Sequence, residues 1–202
     1  MERIELKFDI TKYSFSKIIN KYNLFKIYPD RIVNSIYYDT KNLDLYNDSE
    51  EGITPRKKFR VRSYNNDLSK NFEIKQSLSY SRKKIIIKNI KDPTKYLKLY
   101  SSSQNLFPIV KIIYTRNYFK SIFGRVTIDS NINYFLLNHK LNILKKYKSK
   151  LKVLEVKNDL ENFDKNEILN SINLKETRFS KYCNAVTMLY YESNEVPYED
   201  IF

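Results

Sequence analysis

Lys58-Phe59-Arg60-Val61-Arg62 sets three cations on alternate residues, and Phe72-Glu73-Ile74-Lys75 follows with an acid and a base in the same alternation. Residues two apart on an extended strand share a face. Each segment therefore shows charge on one side and apolar side chains on the other. Arg3-Ile4-Glu5-Leu6-Lys7-Phe8, Arg125-Val126-Thr127-Ile128-Asp129 and Val153-Leu154-Glu155-Val156-Lys157 repeat the pattern. For one strand alone, solvation explains such charges. Three cations at alternate positions repel one another unless an anion sits among them, and the recurrence asks for a common cause. The chemistry these residues suit is the binding of a multiply charged phosphate. Guanidinium groups make planar, multidentate contacts to phosphate oxygens, and interspersed carboxylates offer hard oxygen ligands to a divalent cation.

Composition narrows the alternatives. The 202 residues carry 37 Lys and Arg against 23 Asp and Glu, a net charge of +14, which points to an anionic partner. Most of the basic residues are Lys, and many of those are plain solvated surface; the nine Arg are the more informative set. Two glycines in the whole chain exclude a Gly-rich phosphate loop, so any phosphate must be held by side chains. A single His and a single Cys leave no nucleophilic triad and no internal disulfide. His139, in Leu137-Asn138-His139-Lys140, reads as a bland loop residue, and Cys183 as a buried, inert thiol. Met1 to Ile10 contains no signal-like apolar run, and no stretch is long and apolar enough to span a bilayer. The expectation is a single cytoplasmic domain over residues 1–202.

The elements that must position these charges are mostly strands. Besides the alternating segments, short strands are predicted around Ser35–Asp39, Lys83–Lys88 and Ile109–Phe119. Helices are predicted near Lys12–Tyr22, Pro93–Ser101, Lys165–Ile172 and Ser180–Tyr191. Lys145-Lys146-Tyr147-Lys148-Ser149-Lys150 reads as a solvated loop, able to attract an anionic product. Asp39 and Asp129 are read as strand-ending residues that either cap turns or stand at the rim of the site. The fold that accounts for every alternating strand is an α+β, antiparallel eight-stranded β-tunnel or barrel, with a polar basic lumen and a few flanking helices. Its apolar face would be the outer one, packed on the helices.

At these residues the chain resembles the triphosphate tunnel superfamily and, within it, the VTC domain of polyphosphate polymerases. The opening Arg3-Ile4-Glu5-Leu6-Lys7-Phe8 resembles the family's first strand, and Ser35-Ile36-Tyr37-Tyr38-Asp39-Thr40 its second signature. Lys58 to Arg62 followed by Phe72 to Lys75 resembles its paired basic strands. Tyr114-Thr115-Arg116, then Arg125 and Asp129, then Leu154-Glu155-Val156-Lys157 continue in the family's order. Arg178-Phe179-Ser180-Lys181-Tyr182 resembles the Phe-Ser-Lys-aromatic element near its C-terminus. The resemblance implies ATP and polyphosphate as ligands and Mn²⁺ or Mg²⁺ as cofactor. It also implies phosphate contacts from Lys7, Arg60, Arg62, Lys75, Arg116, Arg125 and Lys181, with a hydroxyl from Ser180. Arg60, Arg62, Lys75, Lys181 and Glu155 would be the catalytic set, with Glu155 and Glu5 holding the metal. Arg82, Lys83 or Lys84 would add a cation from the next strand. Tunnel triphosphatases open with Glu-x-Glu-x-Lys, where this chain has Arg3-x-Glu5-x-Lys7. That departure favours the polymerase branch, and the expectation is a tunnel domain without a membrane segment or a phosphate-sensing domain.

Three functional readings follow. The first is a polyphosphate polymerase that moves the γ-phosphate of ATP onto a growing chain; an ionised chain end needs no nucleophilic side chain. The second is a metal-dependent tunnel triphosphatase acting on inorganic, nucleoside or organic triphosphates. The third is a non-catalytic polyphosphate or nucleic-acid binding module, which Glu5, Glu73 and Glu155 among the basic residues disfavour.

Overall fold

The computed structural model describes residues 4–65, 67–79, 81–101, 105–158 and 165–191. Arg3, the first cation of the N-terminal alternation, lies outside the described residues. The chain begins with β1 (Ile4–Asp9), α1 (Phe15–Lys21), β2 (Phe25–Asp39), α2 (Asp44–Glu51) and β3 (Arg56–Tyr64). It continues through β4 (Asn71–Ser77), β5 (Arg82–Ile87), α3 (Thr94–Tyr100), β6 (Phe107–Ser121) and β7 (Gly124–Leu137). It closes with β8 (Ile143–Lys148), β9 (Val153–Asn158), α4 (Lys165–Ile172) and α5 (Lys181–Val186), the last prolonged by a π-helical turn over Thr187–Tyr191. The fold is α+β with an antiparallel sheet, as expected.

The chain forms two compact units. One comprises residues 1–32, 114–132 and 149–179; the other comprises 33–113, 133–148 and 180–202. The long strands β2, β6 and β7 contribute residues to both. In the first unit β9 lies between β1 and β7, antiparallel to each. In the second, β3 pairs with β2, β4 with β3 and β5 with β4, all antiparallel, and β8 pairs with β7.

Alternation sets which face is core. In the first unit Leu6 and Phe8 of β1, Val126 and Ile128 of β7, and Leu154 and Val156 of β9 pack with Ile18 of α1 and with Ile168 and Ile172 of α4. In the second, Phe59, Val61, Phe72 and Ile74 pack with Leu45 of α2 and Leu97 of α3. Burying each such side chain contributes roughly 1.5–3 kcal/mol. The helix-covered apolar face therefore carries the stability, and the opposite face is left to hold charge. Gly124 opens β7 at φ +104°, where a Cβ would meet the Lys157 carbonyl oxygen at 2.8 Å. Only glycine permits that approach of β7 to β9.

Several features differ from the sequence expectation. Residues 143–148 form β8 rather than a loop, with Tyr147 stacked on Tyr134 of β7 at 6.2 Å and 8° between rings. Its lysines read as solvated because this strand is largely exposed on both faces. Asp129 does not end a strand, since β7 runs on to Leu137. The helix α2 was not anticipated, because DLYNDSEE has no helix-long apolar stripe. The buried Asp39 holds its start, accepting hydrogen bonds from the Leu45 and Tyr46 amides at 2.9 Å each. Among the described residues no helix is long and apolar enough to cross a membrane.

Candidate functional site

The polar strand faces gather most of the expected residues into two clusters, one in each unit. In the second unit the register sets Tyr37 of β2 opposite Arg60 of β3, and Arg60 opposite Glu73 of β4. The neighbouring row sets Lys58, Lys75 and Lys84 abreast on β3, β4 and β5. Glu73 is the acid of this cluster. Its Oε2 accepts from Arg60 Nε at 2.7 Å and also from Arg60 Nη2. It lies 3.2 Å from Lys84 Nζ and 3.6 Å from Arg62 Nη1. Burial pushes the Glu73 carboxyl up, but the fields of Arg60, Arg62 and Lys84 outweigh it and bring it down to about 2. Glu73 is thus an ionised, buried anion shared by three cations.

Arg60 also donates from Nη1 to the Tyr37 hydroxyl at 2.8 Å, and Arg62 donates from Nε to Ser35 Oγ at 3.1 Å. Burial pushes the Tyr37 phenol up; Arg60 first, then Arg62 and Lys181, pull it down to about 8. The Tyr37 ring stacks on Tyr182 at 5.1 Å, and the Tyr182 hydroxyl donates to Asp39. Asp39 therefore caps α2 and anchors Tyr182. Ser180 is the N-cap of α5, its Oγ accepting from the Cys183 amide at 3.4 Å and from Lys58 Nζ at 3.1 Å. That capping places Lys181 on the first turn of the helix, close enough to Tyr37 to lower its phenol pKa. Cys183 is buried as expected, its Sγ 3.3 Å from Lys58 Nζ, and burial pushes the thiol up.

The register separates Arg82, Lys83 and Lys84 by face. Lys84 lies opposite Lys75 and reaches Glu73, whereas Lys83 is opposite Gln76 and so points to the other face. Arg82, opposite Ser77, shares the face of Lys84, and both are exposed. His139 is exposed in the turn after β7, as expected.

In the first unit β1, β9 and β7 align two rows. Glu5 is opposite Lys157, which is opposite Arg125; Lys7 is opposite Glu155, which is opposite Thr127. Glu155 is buried, with Oε1 2.8 Å from Lys157 Nζ and Oε2 3.7 Å from Arg116 Nη2. Burial pushes its carboxyl up, yet a hydrogen bond with Glu5 and the charges of Lys157, Arg116 and Lys7 hold it well below the usual carboxylate range. Two carboxyl groups at hydrogen-bonding distance repel unless a proton or a cation lies between them. Arg116 is clamped by Asp129, Nε to Oδ1 at 2.6 Å and Nη2 to Oδ2 at 2.7 Å, with its guanidinium 5.3 Å from the Tyr114 ring centre. Asp129 is thus an arginine-orienting residue rather than a turn cap. Lys7 Nζ donates to the Phe179 carbonyl at 2.8 Å. Arg125 is exposed on the same polar face.

Among the described residues no three Asp, Glu, His or Cys side chains converge as a metal cage. Glu155 and Glu5 together are the donor pair the first unit offers. Two carboxylates with substrate phosphate oxygens form a donor set that suits Mg²⁺ or Mn²⁺, which rarely takes a full protein cage. The residues therefore fit the expected ion. The resemblance gave no role to Lys58, Glu73, Tyr37 or Lys157, and for Asp129 the sequence left a turn cap and the rim of the site open. The signal for Lys58 and Glu73 was present in the alternation itself, because each shares a face with an expected residue two positions away.

Comparison with known proteins bears on these clusters. A family model described as the VTC domain matches residues 2–190. No curated protein matches the sequence. Among solved structures, a protein of Pyrococcus horikoshii is similar at 17% identity and TM-score 0.57, covering 93% of this chain and 99% of its own. A candidate adenylate cyclase from Bacillus halodurans is similar at 15% identity and TM-score 0.57, covering 94% and 100%. A candidate adenylyl cyclase from Hippeastrum, with a dominant triphosphatase activity, is similar at 10% identity and TM-score 0.51, covering 99% and 100%. At these identities the similarity is one of fold.

Proposed function

Because the chain belongs to the VTC domain family of the triphosphate tunnel superfamily, we propose that it is a metal-dependent polyphosphate polymerase transferring the γ-phosphate of ATP to a growing polyphosphate chain. The observation that carries this reading is the cation excess of the second unit. There Lys58, Lys75 and Lys84 stand abreast beside Arg60 and Arg62, with Glu73 as the carboxylate among them. Like charges directly opposite on a sheet destabilise it, and a polyphosphate is the ligand class that relieves them. Lys181 adds its charge from the start of α5, and Ser180 a hydroxyl.

In this reading Arg60, Arg62, Lys75 and Lys181 bind and orient the triphosphate. Their positions are fixed by strand register, by Glu73 and by Tyr37, so the field on the transferring phosphoryl group needs little reorganisation. In the first unit Lys7, Arg116 and Arg125 contact phosphate oxygens, Arg116 held in orientation by Asp129. Glu155 and Glu5 hold Mn²⁺ or Mg²⁺, which when bound neutralises charge on phosphate oxygens. The acceptor is the ionised end of a phosphate chain, so no side chain has to remove a proton from it.

Hydrolysis of a triphosphate is the second reading. It is favoured by the Hippeastrum protein's activity and by the Glu5–Glu155 pair, which could orient a water. The deciding experiment incubates the protein with ATP and Mn²⁺, resolves products by gel and assays free phosphate in parallel. A polyphosphate ladder with matching ADP is the expected result. Free phosphate without chains would replace the polymerase with a triphosphatase, and neither product would leave a binding module.

A further inference from the structure

Thr127 is an unused polar group in the first unit. It lies directly opposite Glu155 in the β7–β9 register, and Lys7 lies opposite Glu155 from β1. Directly opposed residues share a sheet face with their Cβ atoms about 4.5–5.5 Å apart. Thr127 is only 3% exposed, and its Oγ1 has no hydrogen-bond partner among the described residues. Several other buried hydroxyls have hydrogen-bond partners: Ser35 accepts from Arg62, Ser49 donates to the Leu45 carbonyl, and Ser121 accepts from the Phe123 amide. A buried hydroxyl without a partner costs free energy, and valine would fill the same strand position without that cost. A bound ligand would supply the missing partner.

We propose that Thr127 Oγ1 is a third oxygen ligand, beside Glu155 and Glu5, of a divalent-cation site on this face. This rests on the metal-dependent reading above and adds a residue to it. A cation is favoured over a phosphate oxygen because the group directly opposite Thr127 is the Glu155 carboxylate, which attracts a cation and repels a phosphate oxygen. What this face presents beside Thr127 is two acidic side chains, Glu155 directly opposite it and Glu5 diagonal to Glu155 across the β1–β9 pair. A neutral hydroxyl adds a hard oxygen donor without further negative charge, as ligand sets for Mg²⁺ and Mn²⁺ commonly do.

The test is Mn²⁺ binding to the metal-free protein, followed by electron paramagnetic resonance, in wild type, Thr127→Val, Thr127→Ser and Glu155→Gln. Circular dichroism and thermal melting check that each variant folds. Thr127→Val should weaken Mn²⁺ by about tenfold, Thr127→Ser should retain most of the affinity, and metal-free tripolyphosphate binding should be the same in wild type and both Thr127 variants. Wild-type affinity in Thr127→Val, with loss in Glu155→Gln, would overturn the ligand role of Thr127 and leave the metal-dependent reading standing. Absence of Mn²⁺ binding in wild type would overturn both. Loss of tripolyphosphate binding in Thr127→Val with Mn²⁺ binding intact would assign the hydroxyl to phosphate and overturn the cation role.

Discussion

The two clusters are built on the same plan and differ in their balance of charge. In each, an arginine of one strand is gripped through Nε and Nη2 by a carboxylate of another, Arg60 by Glu73 and Arg116 by Asp129. In each, a tyrosine ring lies near the guanidinium, Tyr37 at 5.7 Å and Tyr114 at 5.3 Å. In the second unit Glu73 stands among Lys58, Arg60, Arg62, Lys75 and Lys84. In the first, Glu5, Asp129 and Glu155 stand among Lys7, Lys157, Arg116 and Arg125. The shared device fixes an arginine; the surplus decides what it is for. A cluster with excess cations is suited to a polyanion, and one near neutrality with paired carboxyls is suited to a metal ion. The two should therefore fail differently when mutated.

The largest effect is expected from Glu155→Gln. It should remove metal-dependent turnover by on the order of a thousandfold, comparable to losing a principal electrostatic group, while metal-free tripolyphosphate binding does not fall. Steady-state assays and calorimetry on the same preparation check this. Unchanged turnover would remove Glu155 from the metal site, and a parallel loss of tripolyphosphate binding would erase the difference between the clusters.

Next comes Arg60→Ala with Arg62→Ala. Charge-assisted hydrogen bonds contribute about 1.5–3 kcal/mol each, so tripolyphosphate should bind at least about a hundredfold more weakly, with Mn²⁺ binding retained. Repulsion among the cations alone would predict a more stable variant. The buried Glu73 reverses that sign, because removing both arginines leaves it with Lys84, itself partly exposed. Glu73 is brought from the ordinary 4.5 to about 2 in the folded protein. The stability it contributes is present above 4.5 and is lost as pH falls towards 2. The double variant should melt lower than wild type at about pH 7, with the gap narrowing towards about pH 3, where both chains increasingly lose that term. An equal or higher melting temperature at neutral pH would show that Glu73 is not the anchor of the cluster.

Much of this was legible from period-two alternation, because a sheet with one buried face leaves little freedom over which residues point inward. Glu5, Lys7, Glu155, Arg60, Arg62 and Lys75 all lie on the polar faces that their spacing implied. Contacts across strands were not legible, because alternation gives the face and not the register. The grip of Asp129 on Arg116 and the capping of α2 by Asp39 both join residues that sequence alone cannot pair. The strand β8 was missed because its lysines look like a solvated loop, and its pairing with β7 is visible only in three dimensions. Ser180 shows the converse: its hydroxyl is engaged in capping α5, so the position was readable while the local bond was not.

The smallest and most specific expectation concerns Tyr37. Its phenol comes down to about 8 because the cations around it outweigh burial, Arg60 most of all. Tyrosinate absorbance should therefore show a group titrating near pH 8, and Tyr37→Phe should remove it. Because the folded-state value lies below the ordinary 10, the group's contribution to stability grows from pH 8 to 10 and is lost as pH falls through 8. Tripolyphosphate bound on Arg60 and Arg62 would cancel much of the positive field and return the titration towards 10, whereas Mn²⁺ alone would leave it near 8. A titration that tripolyphosphate does not move would mean that the polyanion does not reach the Arg60 row. The cation excess of the second unit would then serve something other than phosphate.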